Sequence, residues 1–403
     1  MKVVAIISEY NPFHNGHLYQ INKIRETFGE DTAIISIMSG NYVQRADIAI
    51  MDKWSRAKTA VKCGVNLVLE LSFPYSMSSA EFFARAGVYI ADRINIVDIL
   101  SFGSESGSME TLSKIAYNMS SLELENEISR LSSDACMKDY GYAALRTIAY
   151  KNIFGDSELI STPNNILAIE YIKAIHAFNS KIIPHTIKRI GENYRSEIIG
   201  TNALQSATAI RNEIKSNHLS AAKFIPELSQ NIISDNFNSD AFPCLSERIS
   251  TAIISHFRLS PSCVDQSIHD ANGGLYNRIR SKSFDASDFS SLIELSKTKK
   301  YTTARIVRAI WYSFFGVTSS DVKTTPEYTQ ILAMDKIGQA LLRKIKKSSD
   351  FVILTKPSDI PENDFVIRQK KLSDMADSIF ELTKPKPLPG SSIYKRRPFI
   401  ECE

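Results

Sequence analysis

The stretch Val3-Val4-Ala5-Ile6-Ile7-Ser8-Glu9-Tyr10-Asn11-Pro12-Phe13-His14-Asn15-Gly16-His17-Leu18 decides how this chain is read. It opens on an apolar, β-branched run, the pattern of a strand covered on both faces. Asn11-Pro12 then biases the backbone toward an extended conformation before a bend. Beyond the bend, Leu18, Ile21, Ile24 and Phe28 recur on one face of an amphipathic helix. A first strand therefore hands over to a helix N-terminus at His14-Asn15-Gly16-His17. Free backbone N–H groups and the positive end of the helix dipole suit that position to a phosphate chain. Gly16 has no Cβ to hold a nucleotide off the backbone. Two imidazoles three residues apart can flank the phosphates and donate hydrogen bonds to the charge that grows as pyrophosphate departs. A zinc site and buried structural histidines compete with this reading, but no Cys, Asp or Glu lies at close ligand spacing to complete a zinc set.

With 403 residues, the chain can bury a large core, and two or three domains are expected. A 43% hydrophobic and 23% charged composition is that of an ordinary soluble protein. The net charge of +4 permits a basic face without requiring a nucleic-acid partner. Cys63, Cys136, Cys244, Cys263 and Cys402 are scattered and form no CxxC pair, which fits a reducing compartment and offers no metal set. The apolar run at the start is too short for a leader's core, and no stretch approaches the roughly 18 apolar residues of a membrane span. A cytoplasmic protein is expected.

Further along, residues 32–38 read as a second buried strand, ending in the polar loop Ser39-Gly40-Asn41-Tyr42-Val43-Gln44-Arg45-Ala46-Asp47. In open α/β sheets such carboxyl-end loops form the ligand crevice, so Asn41, Gln44 and Arg45 are candidates for a substrate loop. A helix over 52–63, capped by Gly64, precedes a third strand at 66–71. Residues 78–94 read as a helix, with Phe82, Phe83 and Val88 as core. A fourth strand over 97–105 carries Gly103 at its exit, where the backbone can approach a ligand. In Ser161-Thr162-Pro163-Asn164-Asn165, Pro163 suits a first helical turn and the Asn amides can read an adenine edge or satisfy the turn. Ile182 to Ile187 is a fifth strand, and Pro184 places it at an edge or bulge. It leads to Lys188-Arg189-Ile190-Gly191, a cation where a nucleotide contact or a solvated pair would stand. In Ser206-Ala207-Thr208-Ala209-Ile210-Arg211, Ser206 can cap a helix while Arg211 reaches phosphates. Strands alternating with helices argue for a doubly wound parallel sheet.

From these blocks the chain resembles the HxGH nucleotidylyltransferase superfamily and, more narrowly, the bacterial tRNA(Met) cytidine acetate ligase family. The resemblance runs from Ser8-Glu9-Tyr10-Asn11-Pro12-Phe13-His14-Asn15-Gly16-His17-Leu18, through Gly40-Asn41-Tyr42-Val43-Gln44-Arg45, to Ser206–Arg211 and Lys300-Tyr301-Thr302-x-x-Arg305. Where the family usually has Asp, this chain has Asn66, so no essential role falls there. The resemblance implies a Rossmann-like catalytic domain over 1–215 and a mainly helical tRNA-binding domain over 241–383; between them the Ser- and Asn-rich stretch 216–240 reads as a linker, and the Pro- and Lys/Arg-rich stretch 384–403 reads as a basic extended tail. It implies His14, His17 and Arg211 as catalytic. For ATP it implies Ile7, Ser8, Glu9, Tyr10, Asn11, Pro12, Phe13, Asn15, Gly16, Leu18, Gln20, Gly103, Asn164, Arg189, Ile190, Ser206 and Thr208. Arg278, Lys299, Lys300, Tyr301, Arg305 and Arg308 would face RNA, since cations with an interleaved Tyr suit phosphates and a stacked base. By composition alone that run could equally be a solvated face.

The implied activity is ATP-dependent acetylation of the wobble cytidine of elongator tRNA(Met), giving N4-acetylcytidine from acetate through an acetyl-adenylate. Mg²⁺ is expected on the phosphates, with no dedicated metal site and no membrane or DNA partner. Two readings compete: a nucleotidylyltransferase joining AMP to a small phosphorylated metabolite, and a non-catalytic RNA-binding module. The long basic helical half argues against the former, and the intact signatures argue against the latter.

Overall fold

In the computed structural model the opening apolar run is β1, Val3–Ser8, and it feeds α1, Asn15–Phe28. The structure describes residues 1–137, 140–155, 158–189, 206–216, 223–261, 267–356 and 359–402. Next come β2 (Ala33–Ser39), the short antiparallel pair β3 (Tyr42–Val43) and β4 (Asp47–Ile48), and α2 (Lys53–Lys62). They are followed by β5 (Leu67–Leu71), α3 (Ala80–Arg93) and β6 (Ile99–Ser104). Helices α4 (Met109–Met119), α5 (Leu122–Ser133), α6 (Tyr142–Phe154) and α7 (Pro163–Ala177) lead to β7 (Ile183–Lys188).

Strands β5, β2, β1, β6 and β7 lie side by side in that order, all parallel. The chain winds outward from β1 in both directions, so the strand order reverses between β1 and β6. The crevice at that switch point is where open α/β sheets hold ligands. Side chains alternate across the sheet. Val3, Ala5, Ile35 and Leu69 face a core built with α3, α4 and α7, while Val4, Ile6, Ile34 and Val68 face α1 and α2. Burial on both faces is why these strands are nearly continuous apolar runs. β7 is the edge strand, where Pro184 removes no needed ladder donor.

The remainder begins with α8 (Ala207–Ser216) and α9 (Glu227–Asn238). α9 corrects the expected linker. Its Ser and Asn content suggested a loop, but Ile233 packs with Ile50, Phe224 and Phe242 into a small core of its own. Residues 217–222 of that stretch lie outside the described residues. Helices α10 (Ser250–Leu259), α11 (Leu275–Ser283), α12 (Phe289–Ser296) and α13 (Thr303–Phe315) form a second core around Trp311. After α14 (Ser319–Lys323), the chain returns to the sheet as β8 (Tyr328–Met334), antiparallel to β5. Then follow α15 (Lys336–Ser348), β9 (Val352–Leu354) on β8, and α16 (Asp364–Phe380).

The second half is mainly helical, as expected, and in addition returns β8 to the main sheet, with β9 alongside it. The tail is not extended throughout. Gly390–Lys395 makes a helical turn and β10, Phe399–Ile400, pairs with β8. Among the described residues no helix is long and apolar enough to cross a membrane.

Candidate active site

The turn from β1 into α1 positions the two histidines by a reciprocal cap. His14 is the N-cap of α1, and its Nδ1 accepts the Gly16 N–H at 3.0 Å. The His14 N–H is in turn donated to Nδ1 of His17 at 3.2 Å. A capping box usually uses Ser or Thr with Glu or Gln; here two imidazoles fill both roles. The rings stack with centroids 3.8 Å apart. A Cβ on Gly16 would lie 2.9 Å from His14 Cε1, so the glycine makes room for the ring folded back over it.

These bonds settle the chemistry of the pair. A neutral imidazole has one donor and one acceptor nitrogen. Both Nδ1 atoms accept backbone N–H groups, so each Nε2 carries the proton and each ring offers one N–H donor. Burial, then the positive charges of Arg189 and Arg211, push His14 down to about 3. Burial, then His14 and Arg189, push His17 well below its ordinary value. At neutral pH the pair is uncharged and serves as a set of hydrogen-bond donors.

Around this pair lies a cavity at the carboxyl ends of β1 and β6. Its polar wall includes Ser8, Glu9, His14, His17, Gln20, Gln44, Asn164 and Arg189, with Gly103 beneath. Its apolar wall is Ile7, Phe83, Phe102, Leu167 and Tyr171. A second lobe adds Gly16, Tyr19, Ile187 and Lys188. The Arg189 stem crosses Gly103, where a Cβ would lie 3.3 Å from Arg189 Cγ. Arg211, from α8, donates to the Asn11 carbonyl at 2.9 Å and to Thr208 Oγ1 at 3.0 Å, and Ser206 caps its helix through Ala209 N–H at 3.1 Å. Two guanidinium groups thus stand near the imidazoles, one from each side of the crevice.

Several expected contacts stand behind the wall. Tyr10, Pro12 and Phe13 are buried, and Phe13 and Leu18 pack into the core under α1. Asn11 Oδ1 accepts Ile50 N–H, and Asn15 donates to the Lys223 carbonyl. Asn165 is fully buried and accepts the N–H groups of Glu105 and Ser106, satisfying a turn. Asn164 faces the cavity and donates to Glu105 at 2.6 Å. Ile190 lies outside the described residues.

In the expected substrate loop, Gln44 reaches the cavity because its N–H is held by Glu9 Oε1 at 2.8 Å. Arg45 is exposed. Asn41 points away from the cavity, into a buried network. Its Nδ2 donates to Asp377 of α16 at 2.9 Å, and Lys53 Nζ reaches Glu70 at 2.7 Å and Asp377 at 2.6 Å. Burial opposes the Lys53 charge, but Asp377 and Glu70 outweigh it and raise its pKa above the ordinary range.

Sequence reading missed this network, whose members lie 17 and 324 positions apart. It also missed Arg56, which is fully buried and donates to the carbonyls of Glu9, Ser39, Gly40 and Met51, pinning the ends of β1 and β2. Of the apolar wall, Ile7 is among the expected nucleotide contacts and Phe83 is read as core, while Phe102, Leu167 and Tyr171 carry no site reading; Phe82-Phe83 after a parallel strand is the available signal.

The expected RNA-facing run is divided by the structure. Lys299 and Lys300 are exposed. Tyr301 is buried with its hydroxyl on the Gly273 carbonyl, and Arg308 is buried against Asp270 at 2.6 Å. Arg305 bonds Asp270 and Asn272, and Arg278 caps the end of α12 through the carbonyls of Leu295, Ser296 and Lys297. Helical periodicity within α13 places Arg308 on the core side, and the bridged turn ahead of α13 turns Tyr301 inward, neither of which a composition count registers.

A family model described as HIGH Nucleotidyl Transferase matches residues 1–391. A tRNA(Met) cytidine acetate ligase of Acetivibrio thermocellus is 35% identical over 404 residues, covering 96% of each chain. One from a Thermoanaerobacter species is 37% identical over 369 residues, covering 90% of each. Among solved structures, Thermotoga maritima TmcAL bound with alpha-thio ATP superposes with a TM-score of 0.90 at 28% identity over 100% of both chains.

Proposed function

The chain belongs to the tRNA(Met) cytidine acetate ligase family and is an ATP-using ligase; from that premise we propose that it acetylates the wobble cytidine of elongator tRNA(Met) to N4-acetylcytidine, through an acetyl-adenylate made from acetate and ATP. The observation that carries this reading is the neutral imidazole pair, its Nε2–H groups free to donate, set near Arg189 and Arg211 at the switch point of the sheet.

In the first step an acetate oxygen attacks the α-phosphorus in line, and the bond to the β,γ-pyrophosphate breaks. Acetate is already an anion at neutral pH, so the step needs no general base. It needs relief of repulsion between two anions. Arg189 and Arg211 supply positive charge, while His14 and His17 donate hydrogen bonds to the charge growing on the phosphates. Uncharged imidazoles fit a role in which no proton is transferred. Glu9 is the carboxylate on the wall that would help hold a Mg²⁺ carried in on the phosphates, where the ion offsets their charge.

In the second step the cytidine exocyclic amine attacks the acetyl carbonyl. The C–N bond forms, the mixed-anhydride bond breaks, AMP leaves and the amine loses a proton. That amine is a weak nucleophile, which is why the acyl group must be activated first. The base has to leave its stack to reach the cavity, and an anticodon loop is already unpaired. A cytoplasmic location belongs to the same reading.

The test is to incubate the protein with ATP, labelled acetate and bulk tRNA. Label in the cytidine of tRNA(Met) supports the proposal. Label confined to small molecules, or AMP joined to a phosphorylated metabolite without RNA, contradicts it.

A further inference from the structure

Just before α6 the chain meets the turn that precedes α13. A Cβ on Gly141 would lie 2.7 Å from the Lys300 carbonyl oxygen, closer than real side chains come. Gly141 has φ −76°, which any residue adopts, so the glycine serves close approach and not an unusual backbone. The contact sets two exposed tyrosines, Tyr140 at 48% and Tyr142 at 63% exposure, beside the exposed Lys299 and Lys300. We propose that this seam is a docking surface for unpaired nucleotides of the substrate RNA, with Tyr140 and Tyr142 stacking on bases and Lys299 and Lys300 meeting neighbouring phosphates. The proposal rests on the RNA substrate assigned above.

Three observations favour RNA as the occupant. Large aromatic rings left in water on both sides of one contact are surface waiting for a flat partner, and every base has a face to offer. The adjacent charges are lysines, which protein interfaces tend to exclude and phosphates attract. The seam also joins both walls of the cavity. On one side Arg146 of α6 pairs with Glu170 of α7 at 3.2 Å, next to Tyr171 on the cavity wall. On the other, Arg305 and Arg308 hold Asp270, while His269 packs on Phe82, next to Phe83 on that wall. A strand of RNA seated here touches the sheet body and the helical core together. It also gives the stacking role, expected of the buried Tyr301, to rings that are accessible.

The experiment uses the full chain carrying Tyr140→Ala and Tyr142→Ala, with Phe replacements as the conservative control. Acetate-dependent ATP–pyrophosphate exchange without RNA reports fold and activation; anisotropy with labelled tRNA(Met) and acetylation rates report docking. The Ala pair weakens tRNA binding at least about tenfold, the Phe pair restores it, and exchange is unchanged in both. Lys299→Ala with Lys300→Ala flattens the slope of log affinity against log salt by about 1.4, the share of two phosphate contacts on a single strand. Unchanged tRNA affinity in the Ala pair, or a loss that Phe does not restore, overturns the seam while wild-type acetylation stands. Wild-type protein that acetylates no tRNA overturns the assigned function, and the seam with it.

Discussion

Replacing His14 separates its two jobs. Its Nδ1 caps α1 through Gly16 N–H, and its Nε2–H is the donor proposed to meet phosphate. His14→Ala removes both, while His14→Asn keeps a good cap and loses the reach of the donor. For stability, the Ala variant should lose about 1 kcal/mol from the cap and the Asn variant much less. For activity, both should lose about 10²–10³ in acetate-dependent ATP–pyrophosphate exchange, the cost of deleting one donor to developing charge. The wild-type side chain also carries a pH signature. With a folded-state value of about 3 against an ordinary 6.5, the native state favours the neutral ring. Its contribution is full above pH 6.5 and is lost as pH falls toward 3, so it declines by about 2 kcal/mol between pH 7 and 5. His14→Asn removes that titration, so its unfolding midpoint should fall less than wild type over the same interval. Thermal and urea unfolding at both pH values, with exchange kinetics, read all of this. An Asn variant with wild-type exchange would refute the assigned role, and equal acid sensitivity in both proteins would refute the buried neutral ring.

Other expectations follow from the same geometry. Lys53→Ala leaves Glu70 and Asp377 buried without their cation and should cost about 3–5 kcal/mol in urea unfolding; an unchanged midpoint would show the triad is not buried as described. Arg189→Ala should lower kcat/KM for ATP about 10–100-fold, the worth of a hydrogen bond to a charged group, with thermal stability little changed because its stem lies on the cavity surface. Asn165→Leu leaves the Glu105 and Ser106 N–H groups unpaired in the turn between β6 and α4 and should cost about 1–3 kcal/mol. Amide exchange at those two positions reads it, and unaltered protection would contradict the assignment.

The sheet centre was legible because parallel strands covered on both faces are written as nearly continuous apolar runs, and β1, β2 and β5 are such runs, interrupted only by Ser36 and Glu70 before their last residues. The histidine pair was legible because its place at the turn from β1 into α1 depends on local spacing. β8 was not: it pairs with β5 across more than 250 positions, and no local pattern records a partner that distant. α9 hid in a polar composition that its Ile232 and Ile233 override. Arg308 and Arg278 read as an RNA-facing charge run, yet one is paired in the core and the other caps a helix. Composition counts charges without recording which way a helix turns them. The same limit concealed Tyr140 and Tyr142, whose meaning comes from Lys300 lying against Gly141.

The central claim is that two uncharged imidazoles grip the phosphate chain through Nε2–H. Crystals grown with a non-hydrolysable ATP analogue test it directly. Phosphate oxygens within about 3.2 Å of Nε2 on both His14 and His17 are the expected result; phosphates bound elsewhere, or facing Nδ1 atoms freed from the backbone, would contradict it.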